Sequence, residues 1–284
     1  MNEIKKAGSY LAPTDEERLL ISRAAELSAR PRNLAVASCF LTPGEQRLIF
    51  ECAKIPEHFY FGGARGCTRR KLIFLPDWIE CDVKRPKNVF SSETEDEFLS
   101  LLSSMGMDDI FDEVIVPVKI TPSGYEKLSH RDVLGAIMAL GIKRETIGDI
   151  CFFEDNCYIF CERVAADYIC EMLNKAGRDT VKCEKCTLPE DFEVIYNFED
   201  IVSTVASPRL DGVVRALCNI SRDEAANTVE KGLVELNYLT EYATDTKVEN
   251  GDTVSVRGYG KFIIDSTDTL TRRGRYRLCA RKYI

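Results

Sequence analysis

The sequence predicts an α+β protein in three parts: an N-terminal α/β region over 1–80, a central domain over 81–200 and a C-terminal domain over 201–284. Three observations predict this. Helix starts are marked by Ser, Thr or Pro followed by apolar residues at helical spacing; short alternating runs lie between them; and the charge balance changes near residue 207. Residues 207–284 hold 13 Lys and Arg against 11 Asp and Glu, whereas residues 1–206 hold 25 against 35. With 284 residues and 45% hydrophobic content, the chain is long enough to bury two or three cores.

In the first region Thr14 stands three residues before Glu17, a capping pattern, and the helix it opens carries Leu19, Leu20 and Leu27. A second helix is expected after Thr42 and Pro43, with Leu48, Ile49 and Cys52. Phe59 to Phe61 reads as a strand, Gly62 and Gly63 as a hairpin turn, and the run holding Arg65, Arg69, Arg70 and Lys71 as a basic strand. That basic cluster is a second, weaker anion-binding candidate. No dinucleotide or Walker glycine pattern accompanies the double glycine. Ser91 to Glu97 is acidic and reads as a linker or an exposed helix start.

In the central region a strand is expected over Val114–Ile120 and a helix opened by the Ser129 and Asp132 capping box. Strands follow near Asp149–Phe153 and Cys157–Cys161, then a helix over Val164–Lys175 and a strand over Thr180–Lys185. The order βαββαβ is the ferredoxin-like arrangement, which RNA-recognition motifs share. Tyr158 and Phe160 fall on one strand face, where they either stack bases or fill the sheet's core; the Gly-rich basic lead-in of an RNA-recognition strand is missing.

The C-terminal region has the clearest punctuation. Pro208 suits a first helical position, with Leu210, Val213, Val214 and Leu217 on one face; Ser221 and Glu224 form a second capping pattern, and that helix stops at Gly232. Val234, Leu236 and Tyr238 then alternate, and after the Asn250-Gly251-Asp252 turn so do Val254 and Val256. Basic residues recur at helix starts and strand ends, where they can grip phosphates beside helix N-terminal N–H groups. The candidate RNA-binding residues are Arg209, Arg215, Ser221, Arg222, Lys231, Asn237, Arg257 and Lys261. From Arg257 to Ile284 there are eight basic residues and two acids, so this tail is expected near polyanion.

The Arg209-Leu210-Asp211 start, the Ser221-Arg222 cap, the Lys231-Gly232 stop, Asn237 in the next strand and the Gly251-Asp252 turn closely resemble the RNA-binding domain named after ribosomal protein S4, across roughly 207–261. Further upstream, Phe61-Gly62-Gly63, Arg69-Arg70-Lys71, the run Leu128 to Gly135, Leu140 to Arg144 and Ile147 to Ile150 resemble the YlmH family, so the likeness runs nearly end to end. It departs at Ala64 to Thr68, where family members often carry an acidic-basic segment. Members of that family join an N-terminal α/β region to an S4-type domain. The resemblance implies RNA binding on the large ribosomal subunit and, for some members, a part in ribosome-associated quality control, with contacts to ribosomal RNA and peptidyl-tRNA on a stalled subunit.

Catalytic readings are weaker. Arg209-Leu210-Asp211 also surrounds the catalytic aspartate of pseudouridine synthases, yet Asp211 falls in a helix's first turn, where a carboxylate meets the dipole favourably. His130-Arg131-Asp132 lacks the later Asn of a kinase loop. Cys183 and Cys186 have a zinc-ligand spacing, but no second pair completes four ligands, so they are expected as strand-end thiols. The twelve cysteines are expected to be mainly reduced, and no window approaches the ~20 apolar residues of a bilayer span. The expectation is therefore a cytoplasmic, non-catalytic protein with no cofactor, metal, membrane or small-molecule substrate, whose partners are ribosomal RNA, the large subunit and tRNA. The alternative is an RNA-modifying enzyme, or its accessory, tethered by the C-terminal domain.

Overall fold

The structure is a computed structural model and describes residues 4–6, 9–11, 14–56, 58–79, 100, 114–124, 128–189, 191–192, 194, 196–272 and 274–284. The chain is mixed α and β and separates into two compact units, one of residues 17–195 and one of residues 1–16 with 196–284. The expected break between residues 80 and 81 and the acidic run at 91–97 lie outside the described residues.

Chain order begins with strands β1 (Ile4–Lys6) and β2 (Ser9–Leu11), an antiparallel pair. Helix α1 (Asp15–Ser28), strand β3 (Val36–Leu41), helix α2 (Pro43–Cys52) and strands β4 (Phe59–Phe61) and β5 (Arg70–Phe74) follow. The three strands form an antiparallel sheet in the order β3-β5-β4. The start of α2 is fixed from both sides: Thr42 Oγ1 accepts from Glu45 N at 3.3 Å, and the Glu45 carboxylate accepts from Thr42 N at 2.6 Å. Ala24, Leu41, Ile49, Tyr60, Leu72 and Phe74 make the core between helices and sheet.

The next stretch runs β6 (Val116–Pro122), α3 (His130–Ala139), a short 3-10 turn (Arg144–Thr146), β7 (Ile147–Phe153), β8 (Asn156–Cys161), α4 (Arg163–Met172), β9 (Lys175–Ala176) and β10 (Asp179–Lys185). Its sheet has the order β7-β8-β6-β10-β9 with antiparallel pairing. Both ends of the α3 capping box are made by Ser129 and Asp132. Helix α4 stops at Met172 rather than Lys175, because Lys175 and Ala176 pair with Thr180 and Asp179 as a small hairpin strand. One sheet face buries Val118, Ile120 and Ile159 beneath Val133, Ile137, Ala166 and Ile169.

The second unit adds β11 (Phe198–Val205), helices α5 (Leu210–Cys218) and α6 (Arg222–Glu230), and strands β12 (Val234–Leu236), β13 (Leu239–Thr240), β14 (Thr253–Val256), β15 (Gly260–Leu270) and β16 (Tyr276–Tyr283). They form an antiparallel sheet in the order β11-β16-β15-β14-β12-β13, and Leu210, Val213, Val214, Leu217, Ala225 and Val229 fill the core with Val234, Val254, Phe262, Ile264, Leu278 and Ala280. The expected basic tail is thus sheet rather than tail: 260–270 and 276–283 are strands β15 and β16, which carry Lys261, Arg277, Arg281 and Lys282. Pro208 does not open α5. Its carbonyl accepts Val248 N at 2.8 Å and Arg209 bridges Lys247, so the chain stays extended until Arg209, the cap.

Candidate nucleic-acid interface

The cations expected from sequence divide according to what their side chains already do. Asp211 is 6% exposed in its side chain and stands between two of them: Arg209 Nε lies 3.4 Å from one carboxylate oxygen and Arg222 Nη2 lies 3.5 Å from the other. The same carboxylate accepts Gly212 N at 2.8 Å. Because both arginines stay largely in water, at 43% and 71% side-chain exposure, these ion pairs orient the guanidiniums more than they stabilise the fold. Arg215 and Arg222 line an open pocket of ≈ 190 Å³ together with Ser207, Asp211 and Arg275. Arg275 was not singled out by sequence; it arrives from the turn before β16, where its Nη2 donates to Thr204 O at 2.9 Å and leaves the rest of the fork for another acceptor. Only the pairing of β11 with β16 brings it there, a contact no short-range pattern encodes.

The expected free N–H donors at the start of α5 are not free. Leu210 N donates to Thr246 O at 2.8 Å, Asp211 N to Thr244 O at 3.0 Å and Gly212 N to Asp211, so any anion here meets guanidiniums rather than helix amides.

The remaining candidates sit elsewhere on the unit. Ser221 caps α6, its Oγ accepting Glu224 N at 3.2 Å. Asn237 serves the fold: it occupies the left-handed region at φ +52°, donates from Nδ2 to Asp252 Oδ1 at 2.7 Å and accepts Thr253 N at 2.9 Å. Lys231 is exposed as the cap of α6, and Arg257 is exposed at the β14–β15 turn. Lys261 Nζ lies 4.6 Å from the ring centres of both Tyr238 and Tyr283, an aromatic sandwich already occupied by its own lysine. Burial, then the nearby Tyr238, pushes the Tyr283 phenol up to about 12.

In the other unit the Arg69-Arg70-Lys71 cluster is consumed by the fold, which corrects the expectation of an anion site there. Arg69 donates to Ile147 O at 3.1 Å and Phe40 O at 3.2 Å, Arg70 donates to Cys67 O at 2.7 Å, and Lys71, 4% exposed, pairs with Glu162 at 2.9 Å. The loop between the double glycine and β5 is pinned by Asp149, whose carboxylate accepts from Thr68 N, Thr68 Oγ1 and Arg69 N. Tyr158 and Phe160 share a sheet face as expected, but they are 3% and 0% exposed beneath Phe192, whose ring centre lies 5.1 and 6.1 Å away. They are core, not a stacking platform. Cys183 and Cys186 donate to different carbonyls, Leu173 O and Pro117 O, and burial raises both thiols, Cys183 to about 12.

Comparison with known proteins covers parts of the chain. Residues 109–190 match the family model described as "Putative RNA-binding domain in YlmH". The chain is 30% identical over 154 residues to ribosome-associated protein quality control protein P2 of Bacillus subtilis, over 54% of this chain and 60% of that protein, so it matches somewhat less than two thirds of the relative's length. Among solved structures it is similar to cell division protein ylmH from Streptococcus pneumoniae, with 20% identity and a TM-score of 0.43 over 66% of this chain and 100% of that one. Residues 109–190 thus resemble the RNA-binding domain of the YlmH family.

Proposed function

We propose that this protein is a non-catalytic RNA-binding factor that docks on ribosomal RNA of the large ribosomal subunit, together with peptidyl-tRNA, in ribosome-associated quality control in the cytoplasm. The observation that carries the reading is the cluster of Arg215, Arg222 and Arg275 around one open pocket, with Arg209 paired to the Asp211 carboxylate that lines it. Forked guanidiniums fixed on rigid elements suit phosphate oxygens, and several together supply the counterion release that drives RNA association. Lys231, Arg257 and Lys261 extend the same charge, while Ser221 and Asn237 hold the backbone that presents it. The description of the matched family model and the name of the Bacillus relative support the same partner class.

On this reading the C-terminal unit is an S4-like domain, because two short helices, the second capped by Ser221, pack on an antiparallel sheet with cations at their ends. The stretch 116–185 is ferredoxin-like by its βαββαβ order with the two later strands flanking the first. The mechanism is positioning: phosphates are neutralised, the protein's register on the RNA is set, and no bond is made or broken. The acidic remainder of the chain, 25 basic against 35 acidic residues over 1–206, repels RNA that does not fit the arginine cluster.

The test is co-sedimentation of the purified protein with separated ribosomal subunits across a salt series. Wild type is expected to bind the large subunit with a steep salt dependence; Arg209→Glu with Arg222→Glu abolishes binding, and Arg275→Ala lowers the log–log salt slope by about 1. A double variant that keeps its fold and its affinity would falsify the assignment. Binding to neither subunit, even with peptidyl-tRNA present, would redirect the search to free tRNA and the tethered-enzyme reading.

A further inference from the structure

Glu241 is fully buried, and its Oε1 accepts the backbone amides of Tyr242 and Ala243, each at 2.9 Å. A buried carboxylate is costly unless it is hydrogen-bonded, so this residue fixes the chain direction at 242–243. The segment then runs beside the first turn of α5, where Thr244 O and Thr246 O take the Asp211 and Leu210 amides. Tyr242 is thereby turned outward at 45% exposure. Its ring rests on Gly232, whose φ is +67° and on which a Cβ would lie only 2.7 Å from the ring's Cε1. Gly232 is therefore required twice, for its backbone conformation and for the seat it gives the ring. The exposed Lys231 precedes that glycine, and Arg209 lies at the start of α5, beside the strand bridge to Lys247.

We propose that Tyr242 is a base-stacking contact of the RNA interface and takes an unpaired nucleotide of the RNA whose phosphates the arginines hold. The inference rests on the RNA-binding reading above. An aromatic ring nearly half exposed and set against backbone, with Lys231 next to the glycine it touches, offers what sequence-tolerant stacking needs. A continuous A-form duplex hides its base faces, so such a ring selects RNA with a bulged, looped or terminal nucleotide beside the docked helix. The phenol hydroxyl has no part in stacking, and the ring alone carries the contact.

Two readouts separate stacking from charge. In co-sedimentation with purified large ribosomal subunits, Tyr242→Ala and Tyr242→Leu are expected to lose roughly five- to a hundredfold in affinity with an unchanged salt slope, and Tyr242→Phe to retain wild-type affinity. The Leu variant keeps an apolar cover over Gly232, so a loss there is not a folding defect; circular dichroism on each variant checks this. Ultraviolet cross-linking of the wild-type complex, followed by peptide mapping, is expected to place a nucleotide adduct on Tyr242. If Tyr242→Leu binds as wild type while the Arg209, Arg222 double variant does not, the stacking role is wrong and the RNA-binding reading stands. If neither set changes binding, both fall.

Discussion

Gly63 has φ +106°, and a methyl group there would lie 2.3 Å from Phe160 Cδ1 and 2.9 Å from Ile115 Cγ2. Two penalties therefore add, one for backbone strain and one for overpacking a core that includes Phe40, Phe59 and Phe160. Gly63→Ala is expected to cost about 2–4 kcal/mol in urea denaturation, with backbone strain and overpacking each supplying part. A cost below that of an ordinary surface substitution would mean that the loop can shift at no cost. The same residue scale explains why the adjoining basic run misleads. Charge alone reads as an anion site, yet Arg69, Arg70 and Lys71 satisfy carbonyls and Glu162 inside the fold. Sequence shows that a guanidinium exists but not which acceptor has claimed it. Asp211 is the reverse case: its place in a helix's first turn was legible, but its position between two arginines needed the helix pair to close.

At the scale of elements, the β12–β13 turn depends on Asn237 and Tyr238, whose φ values of +52° and +68° give the mirror-image turn that two-residue hairpins favour. Asn237→Gly keeps the backbone and loses the bonds to Asp252 and Thr253. Asn237→Ala loses both, and it is expected to destabilise by about 1–3 kcal/mol, more than the Gly variant; chemical denaturation of the two would show equal costs if only the side-chain bonds matter. Elements announced by local chemistry were legible. Thr42, Ser129 and Ser221 mark helix starts within one or two residues, and the βαββαβ order follows from alternation in Cys157–Cys161 and its neighbours. Strands held by distant partners were not. β11 carries Glu199 and Asp200 and gains its ladder only from β16, and β15 and β16 hide their alternation under Lys261, Arg277 and Arg281 on the face opposite the core. A strand of this kind is defined by its partner, so the basic composition of 257–284 pointed to polyanion before it pointed to a sheet. Arg275 was missed for the same reason.

Across the whole molecule, titration sets the window in which these pieces hold together. The eleven cysteines among the described residues are free thiols, and burial, the largest cause at each, lifts Cys39, Cys67, Cys157, Cys161, Cys170, Cys183, Cys186 and Cys218 above the ordinary value of 9.0, Cys218 to about 11 and Cys183 to about 12. A thiol with a raised folded-state pKa keeps its proton longer when folded. The unfolded chain therefore loses protons first as pH rises past about 9, and the stability these groups contribute is present below that value and lost above it. Tyr283 acts in the same direction from about pH 10, the phenol's ordinary value, to about 12. On the acid side Asp77, Asp132, Asp167 and Glu184 are lowered by hydrogen bonds from Arg32, Ser129, Lys185 and Lys182, so their contribution is present above the ordinary carboxylate values and lost as pH falls through the lowered ones. Those four are solvent-exposed and screened, which makes the acid limb shallow, whereas Cys67, Cys157 and Cys161 lie in the cores of the 17–195 unit and carry most of the alkaline limb. Under reducing conditions the urea midpoint followed by circular dichroism is expected to stay level from roughly pH 5 to 8 and to fall steeply from about pH 9 upward. A midpoint that stays level to pH 11 would mean that the thiols ionise alike in folded and unfolded chain, and that the cores admit water to them.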